Sequence, residues 1–469
     1  MVTNTNTSSA PLWTAQEIAT ATNGKLSGDF AIRDVHIDSR AVGPGDLFVA
    51  IKGEYNDAHN FLEQAKDAGA AGFLVQENRD LANNYILVEN SFDALWDLAK
   101  AARARSDAKS IAITGSVGKT GTKELLIKAF GALGNTSGTQ GNLNNHFGLP
   151  LTLARLPQEA DYAILEMGMS APEEIRPLSK LGQPHVAIIT AIAAAHSEFF
   201  DSIEGIALAK SEIFDGLLPN GTAILNQDDR HFDFLRMQLK TNRPDCSMLT
   251  FGSSEKSDAR LLSSLFDPTK NAQVINACIC GEDIEYSLAI HGKHWALNSL
   301  ATLLAVKAVK GDVTKAAEAL KQVRPLPGRG ELSICQLPNG SNFTLIDESY
   351  NASPAAVEAA IKTLAQLAGK NRKILVLGDM RELGPESDAM HAGLAETVKE
   401  NEIDLVFTSG RDSKALLEAL PRSSTGCHRG TAIELIAFLQ EAIQDGDFVL
   451  VKGSLGSKMA PLVSALKEA

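Results

Sequence analysis

Short, nearly unbroken apolar runs recur along the chain. Each is followed by a glycine-rich or polar turn, then by a stretch with apolar residues every three or four positions. Runs of this kind predict strands buried on both faces of a parallel sheet, and the 3.6-residue spacing predicts helices packed over them. The clearest instance is Lys109 to Leu126. Ile111-Ala112-Ile113 predicts a strand, and Thr114-Gly115-Ser116-Val117-Gly118-Lys119-Thr120 a turn. Beyond it Leu125, Leu126, Ala129, Phe130 and Leu133 share one helical face.

A glycine loop between a strand and a helix is the setting for phosphate binding. Backbone N–H groups close around phosphate oxygens, and the helix N-terminus adds partial positive charge. Lys119 can reach a β- or γ-phosphate and the Thr120 hydroxyl can hold Mg²⁺. The loop departs from G-x-x-x-x-G-K-[ST], because Ile113 stands where the first glycine belongs. On residues alone, an ordinary glycine turn stays open as the other reading.

The same rhythm divides the chain. Residues 1–10 are polar and predict a disordered lead-in. Residues 11–107 alternate strand-like FAIRDVHID, GDLFVAIKG, GFLVQ and YILVE with helix-like TAQEIATAT and AHNFLEQAKDAGA. Residues 108–324 carry the loop, then strand-like DYAILEMG, PHVAIIT and TAILN, a strand-rich stretch over about 247–292, and a helix opening at 291–298. Two prolines and two glycines in 323–330 mark a boundary. Residues 325–469 repeat the pattern in FTLIDESYN, KILVLGDM, DLVFTSG and DFVLVKGSLGSKM, with Ser353-Pro354 as N-cap and N1 of a helix. The expected fold is α/β in three domains: a small α/β domain, a central parallel-sheet domain of P-loop type, and a C-terminal Rossmann-like domain.

Ligands of open parallel sheets sit at the C-terminal strand ends. Thr120, Glu166 and His196 all end or follow strands in this way. A hydroxyl, a carboxylate and an imidazole could hold a hard cation together with phosphate oxygens. Taken singly each is ordinary, and a glutamate capping a neighbouring turn is the plain alternative. Lys210 lies on an amphipathic helix, where a lone lysine usually faces solvent. Asp38-Ser39-Arg40 reads as a loop at a strand end.

Composition narrows the class. The chain has 469 residues, 44% hydrophobic and 22% charged, which suits a soluble globular protein of several domains. Its net charge of −13 disfavours non-specific binding to nucleic acid or an anionic membrane. Five scattered cysteines with no C-x-x-C pair indicate neither a disulfide framework nor a zinc site. No basic-then-apolar leader opens the chain and no stretch is long enough to span a membrane, so a cytoplasmic protein is expected; a monomer is the expected state.

Read together, these motifs resemble the Mur ligase family. The family loop T-G-[ST]-x-G-K-[ST] matches Thr114 to Thr120, which accounts for Ile113. The family glutamate falls in Leu165-Glu166-Met167-Gly168, the H-x-x-x-N segment at His294 to Asn298, the interdomain arginine at Arg329, and the aspartate at Asp347 of DESYNASP. The 139–152 segment, the stretches around Gly378-Asp379 and Lys452-Gly453, and DESYNASP resemble the branch that adds a dipeptide. Gly121 departs from the Ser or Thr usual after G-K-T, which should cost only a second hydroxyl contact. Ser353 replaces a usual Asn.

The resemblance implies ATP-dependent amide formation through an acyl phosphate, joining D-Ala-D-Ala to UDP-MurNAc-tripeptide for peptidoglycan synthesis. It implies ATP contacts from Thr114, Gly115, Ser116, Val117, Gly118, Lys119, Thr120, Asn298, Arg329, Asp347, Tyr350 and Asn351. It implies Mg²⁺ at Thr120, Glu166, His196 and a carbamylated Lys210, with Lys119, Glu166, His196, Lys210 and Arg329 serving catalysis. Ser39, Arg40, Asn142 and Asn145 would hold the UDP substrate, and Asp379 and Lys452 would lie on the dipeptide side. Another ligase of the family, a folylpolyglutamate synthase-like ligase, a P-loop kinase and an inactive nucleotide-binding scaffold are the competing readings.

Overall fold

A computed structural model describes residues 10–468 except 80, 195–199, 201, 268, 270, 271 and 341. Among the described residues the strands form four sheets. The largest has nine strands and is centred on Lys109–Thr114, with Tyr162–Glu166 on one side and Val186–Ile189 on the other, both parallel to it. Strand order therefore reverses about Lys109–Thr114, and a crevice opens at its C-terminal end, where the loop begins. Every residue from Ser110 to Thr114 is buried, as a two-sided strand requires.

Thr222–Asn226 and Ser247–Gly252 continue the sheet in parallel. The predicted strand-rich stretch then adds the antiparallel strands Ala272–Ile279 and Glu282–Leu288. A further strand between these two groups, Ala259–Asp267, escapes sequence reading because its polar and apolar residues do not alternate. The helix Lys119–Gly131 leaves the loop and buries Leu125, Leu126, Ala129 and Phe130 completely, beside the helix Lys293–Ala308. Leu133 lies past the helix end and is only partly buried.

Residues 25–87 supply a five-stranded sheet, and a six-stranded sheet spans residues 331–452. The helix Ser91–Arg105 joins the first sheet to the central one. Here Arg103 Nε donates to Gly182 O at 3.1 Å, Arg105 stacks 3.3 Å from the Trp13 ring centre, and Trp13 Nε1 donates to Ala154 O at 2.8 Å. Arg155 adds an ion pair to Asp34 at 2.9 Å and a hydrogen bond to Val35 O at 2.7 Å. The helix Pro354–Ala368 carries the third sheet towards the crevice, and no described helix is long and apolar enough to cross a membrane.

Candidate functional site

The loop closes around backbone geometry that only glycine supplies. Gly118 has φ +87°, and a Cβ on Gly115 would stand 2.0 Å from the Thr190 hydroxyl. Thr190 Oγ1 donates to Val117 O, and Ser116 N to Ala191 O, so the strand end at 186–189 and its following residues hold the loop. Asn298, on the long central helix, sits against Gly118; a Cβ there would be 3.2 Å from its Nδ2.

Lys119 begins the helix, and its Nζ donates to Gly115 O at 2.5 Å. Burial lowers the Lys119 pKa; Glu166 opposes this and the Arg329 charge adds to it. Thr120 Oγ1 donates to Glu166 Oε1 at 3.2 Å, and Asn144 Nδ2 to the same oxygen at 2.8 Å. Glu166 Oε2 is buried with no hydrogen-bond partner. A hydroxyl beside a buried carboxylate oxygen with unused acceptor capacity suits Mg²⁺, which takes oxygen ligands and keeps substrate phosphates and waters. Among the described residues no cluster of three or more His, Cys, Asp or Glu forms, so a metal here would depend on phosphate oxygens as well. His196 lies outside the described residues.

Lys210 corrects the plain sequence reading of a solvent-facing lysine. Only 1% of it is exposed, and burial, followed by the nearby Lys119 charge, pushes its pKa well below the ordinary lysine value. Solvent-facing Leu208 and buried Ile206 and Ala207 show the helix turned so that Lys210 points inward.

A cavity of about 560 Å³ runs from the loop to the third sheet. Ser116 to Gly121, Asn142, Asn145, Glu166 and Asn298 line one side; Arg329, Tyr350, Asn351 and Lys452 line the other. Arg329 lies over the Tyr350 ring, 4.0 Å from its centre. Lys452 Nζ donates to Glu348 Oε2 at 3.0 Å and Asn351 O at 3.1 Å. Lys452 thus lines the same cavity as the phosphate loop.

Other expected site residues already make contacts within the chain. Asp347 accepts from Gly328 N and Ser349 N at 3.1 Å each, which shapes the turn that carries Arg329. Asp379 accepts from the amides of Arg411, Asp412 and Ser413 within 3.1 Å, so its carboxylate braces a loop. Asn145 Oδ1 accepts from Phe147 N and Gly148 N, starting the helix Gly148–Ala154. Ser39 Oγ donates to Gln64 Oε1 at 3.0 Å, and exposed Arg40 pairs with Asp38 at 2.6 Å, both away from this cavity. Ser353 starts its helix, yet its hydroxyl makes no capping bond.

Sequence reading missed Lys123 and Asn144 and left His294 and Trp295 out of the site, although both line the cavity. The i, i+4 spacing of Lys119 and Lys123 was the available signal. A second cavity, about 780 Å³ between Ser287–His291 and Gly330–Leu332, holds none of the candidate residues.

Comparison with known proteins gives the family. Residues 31–106 match "Mur ligase family, catalytic domain", 113–306 match "Mur ligase middle domain", and 328–455 match "Mur ligase, glutamate ligase domain". The UDP-N-acetylmuramoyl-tripeptide–D-alanyl-D-alanine ligase of Escherichia coli is 35% identical over 458 residues, 97% of this chain and 98% of that protein. The crystal structure of MurF from Acinetobacter baumannii superposes with a TM-score of 0.86 at 31% identity, covering 98% of this chain and all of that one. The MurF ligase of Thermotoga maritima, solved in complex with ADP, gives 0.77 at 26% identity over 93% and 97% of the two chains. The chain belongs to the Mur ligase family.

Proposed function

We propose that the protein joins D-Ala-D-Ala to UDP-MurNAc-tripeptide with ATP, yielding UDP-MurNAc-pentapeptide, ADP and phosphate in the cytoplasm. The observation that carries this reading is a phosphate loop facing Arg329 and Lys452 across one cavity, in a chain similar along its length to tripeptide–D-Ala-D-Ala ligases. In this reading residues 11–107 take the UDP end, 108–324 the ATP, and 325–469 the dipeptide.

The tripeptide carboxylate oxygen attacks the γ-phosphorus, the β–γ bridging P–O bond breaks, and ADP leaves an acyl phosphate. The dipeptide amine then attacks the acyl carbon, loses a proton, and expels phosphate as the amide forms. Two anions must approach each other, so fixed positive charge and N–H dipoles carry much of the catalysis. Lys119 exchanges its bond to Gly115 O for the γ-phosphate. The loop amides of Val117 to Thr120 cradle the β-phosphate, and Arg329 and Lys452 approach from the third sheet. Asn298 steadies the loop at Gly118, while Tyr350, Asn351 and the turn shaped by Asp347 flank the nucleotide. Asn142 and Asn145 face the sugar-peptide, with Ser39 and Arg40 towards the uridine end. Thr120, Glu166, His196 and Lys210 are the residues that would hold Mg²⁺, which when bound neutralises phosphate oxygens.

A carbamylated Lys210 is part of the proposal. The uncharged amine favoured by burial adds to CO₂, gives up a proton, and becomes an anionic N-carboxylate. That converts a buried cation beside Lys119 into a partner for it. Mass spectrometry of the reaction mixture tests the function. A product heavier than the tripeptide substrate by D-Ala-D-Ala less water is the expected result. ADP formation with a phosphorylated hydroxyl product would favour a kinase instead.

A further inference from the structure

Lys123 is fully buried in the helix that starts at the phosphate loop, one turn beyond Lys119. Its Nζ donates to Gly141 O at 2.7 Å, lies 3.2 Å from Glu124 Oε1 and stands 3.7 Å from Glu166 Oε2. The ammonium thus has one hydrogen bond, to a backbone carbonyl, and two carboxylate oxygens at ion-pair distance. An aliphatic side chain would fill the same space without the cost of burying charge. Packing alone therefore does not account for a lysine.

The segment it holds also touches Glu166 directly. Asn144 Nδ2 donates to Glu166 Oε1, and Glu166 N donates to Thr139 Oγ1 at 3.0 Å. Gly168 N donates to Asn144 O, so the backbone after Glu166 is tied to the same segment. Gly141 has φ +55° and an open Cβ direction, and no described side chain other than Lys123 hydrogen-bonds its carbonyl. Asn142 and Asn145 flank these contacts and face the cavity.

We propose that Lys123 is a positioning residue that locks the 139–145 segment to Glu166, so that seating the sugar-peptide substrate and setting the carboxylate are one event. The inference rests on the ligase reading for its substrate, while the lock itself is a property of the free protein. By linkage, whatever orders the segment also fixes Glu166, and the reverse holds equally. The lock acts on the acceptor substrate more than on nucleotide, because Lys119 is held by Gly115 O and the loop by Thr190 and Ala191.

The test uses the full chain as Lys123→Met, which keeps the length and loses the charge, and Lys123→Arg, which keeps a donor. Hydrogen exchange without substrates reads the lock directly. In Lys123→Met, amides of residues 141–145 should exchange about tenfold faster or more, while those of 125–131 stay as in the parent protein. KM for UDP-MurNAc-tripeptide should rise about tenfold, with ADP affinity measured in EDTA changed by less than about threefold. Lys123→Arg should recover most of the lost protection. Unchanged exchange at 141–145 in Lys123→Met overturns the proposal. Equal loss of protection in segment and helix, not recovered by Lys123→Arg, overturns it too, as that marks a packing role. If the parent protein turns over no tripeptide, the ligase reading fails, while the exchange result still decides the lock.

Discussion

Gly121 and Trp295 occupy one space: a Cβ built on Gly121 would stand 2.7 Å from Cη2 of the Trp295 ring and 2.9 Å from Cζ3. The glycine after Gly118-Lys119-Thr120 thus makes room for an indole that lines the cavity, and does more than omit a hydroxyl. The ring wedges the loop helix against the helix Lys293–Ala308. Gly121→Ser should lower stability by about 1–3 kcal/mol through overpacking. Adding Trp295→Leu should recover most of that loss, as read by thermal unfolding. A Gly121→Ser protein as stable as its parent would show that the ring is free to move aside.

Lys119 rests on Gly115 O, poised within the loop. Lys119→Ala should reduce ADP release, with all substrates present, by about a hundredfold or more. The fold should survive, because the Val117 carbonyl is held by Thr190 and the Ser116 amide by Ala191 O. Near-parent turnover would remove the phosphate-loop reading.

The carboxylate role of Lys210 has its own signature. Lys210→Ala should be inactive to within about one part in a hundred and should regain activity with acetate or propionate. The amine must be uncharged to take up CO₂, and its pKa is pushed down, so the carbamate should persist at neutral pH and be lost on acidification. A nearly fully active Lys210→Ala would contradict this account.

Asp379 and Lys452 should separate. Asp379→Asn weakens three amide contacts of the 411–413 turn and should cost about 1–3 kcal/mol of stability, with KM for the dipeptide changed less than about threefold. Lys452→Met should leave stability closer to the parent and lower kcat, because Lys452 faces the phosphate loop. Steady-state kinetics beside thermal unfolding decides between them.

The first sheet carries a pH dependence. The Asp57 carboxyl is partly desolvated, which alone would raise its pKa; hydrogen bonds from the His59 amide and ring and from Arg79 outweigh this and hold it at about 2. A depressed carboxyl stabilises the fold above the unfolded value, about 3.9, and that contribution fades as pH falls towards about 2. Asp57→Asn should therefore flatten the fall of Tm over that window. A parallel fall in both proteins would assign the acid sensitivity elsewhere.

Much of this architecture is legible in sequence because buried parallel strands are continuous apolar runs. Ile111 to Ile113 and Val186 to Ile189 declare themselves in that way, and the glycine loop between strand and helix follows. The helix Ser91–Arg105 does not, since it packs among the helices Ala15–Thr22, Gly148–Ala154 and Ile175–Gly182 and mixes Arg103 and Arg105 with its apolar face. Site residues were legible where they sit in a local motif, as Lys119, Thr120 and Glu166 do. Lys123 was not, because its partners Gly141 and Glu166 are brought to it only by the sheet. The bracing role of Asp379 was hidden for the same reason, its partners lying more than thirty positions away.

The central claim is that the protein couples ATP cleavage to amide formation with a dipeptide. Phosphate release should be measured with UDP-MurNAc-tripeptide and ATP while D-Ala-D-Ala, single D-alanine, diaminopimelate and glutamate are supplied in turn. The account requires rapid release with D-Ala-D-Ala alone. Equal release with any single amino acid, or release without an amine, would contradict it.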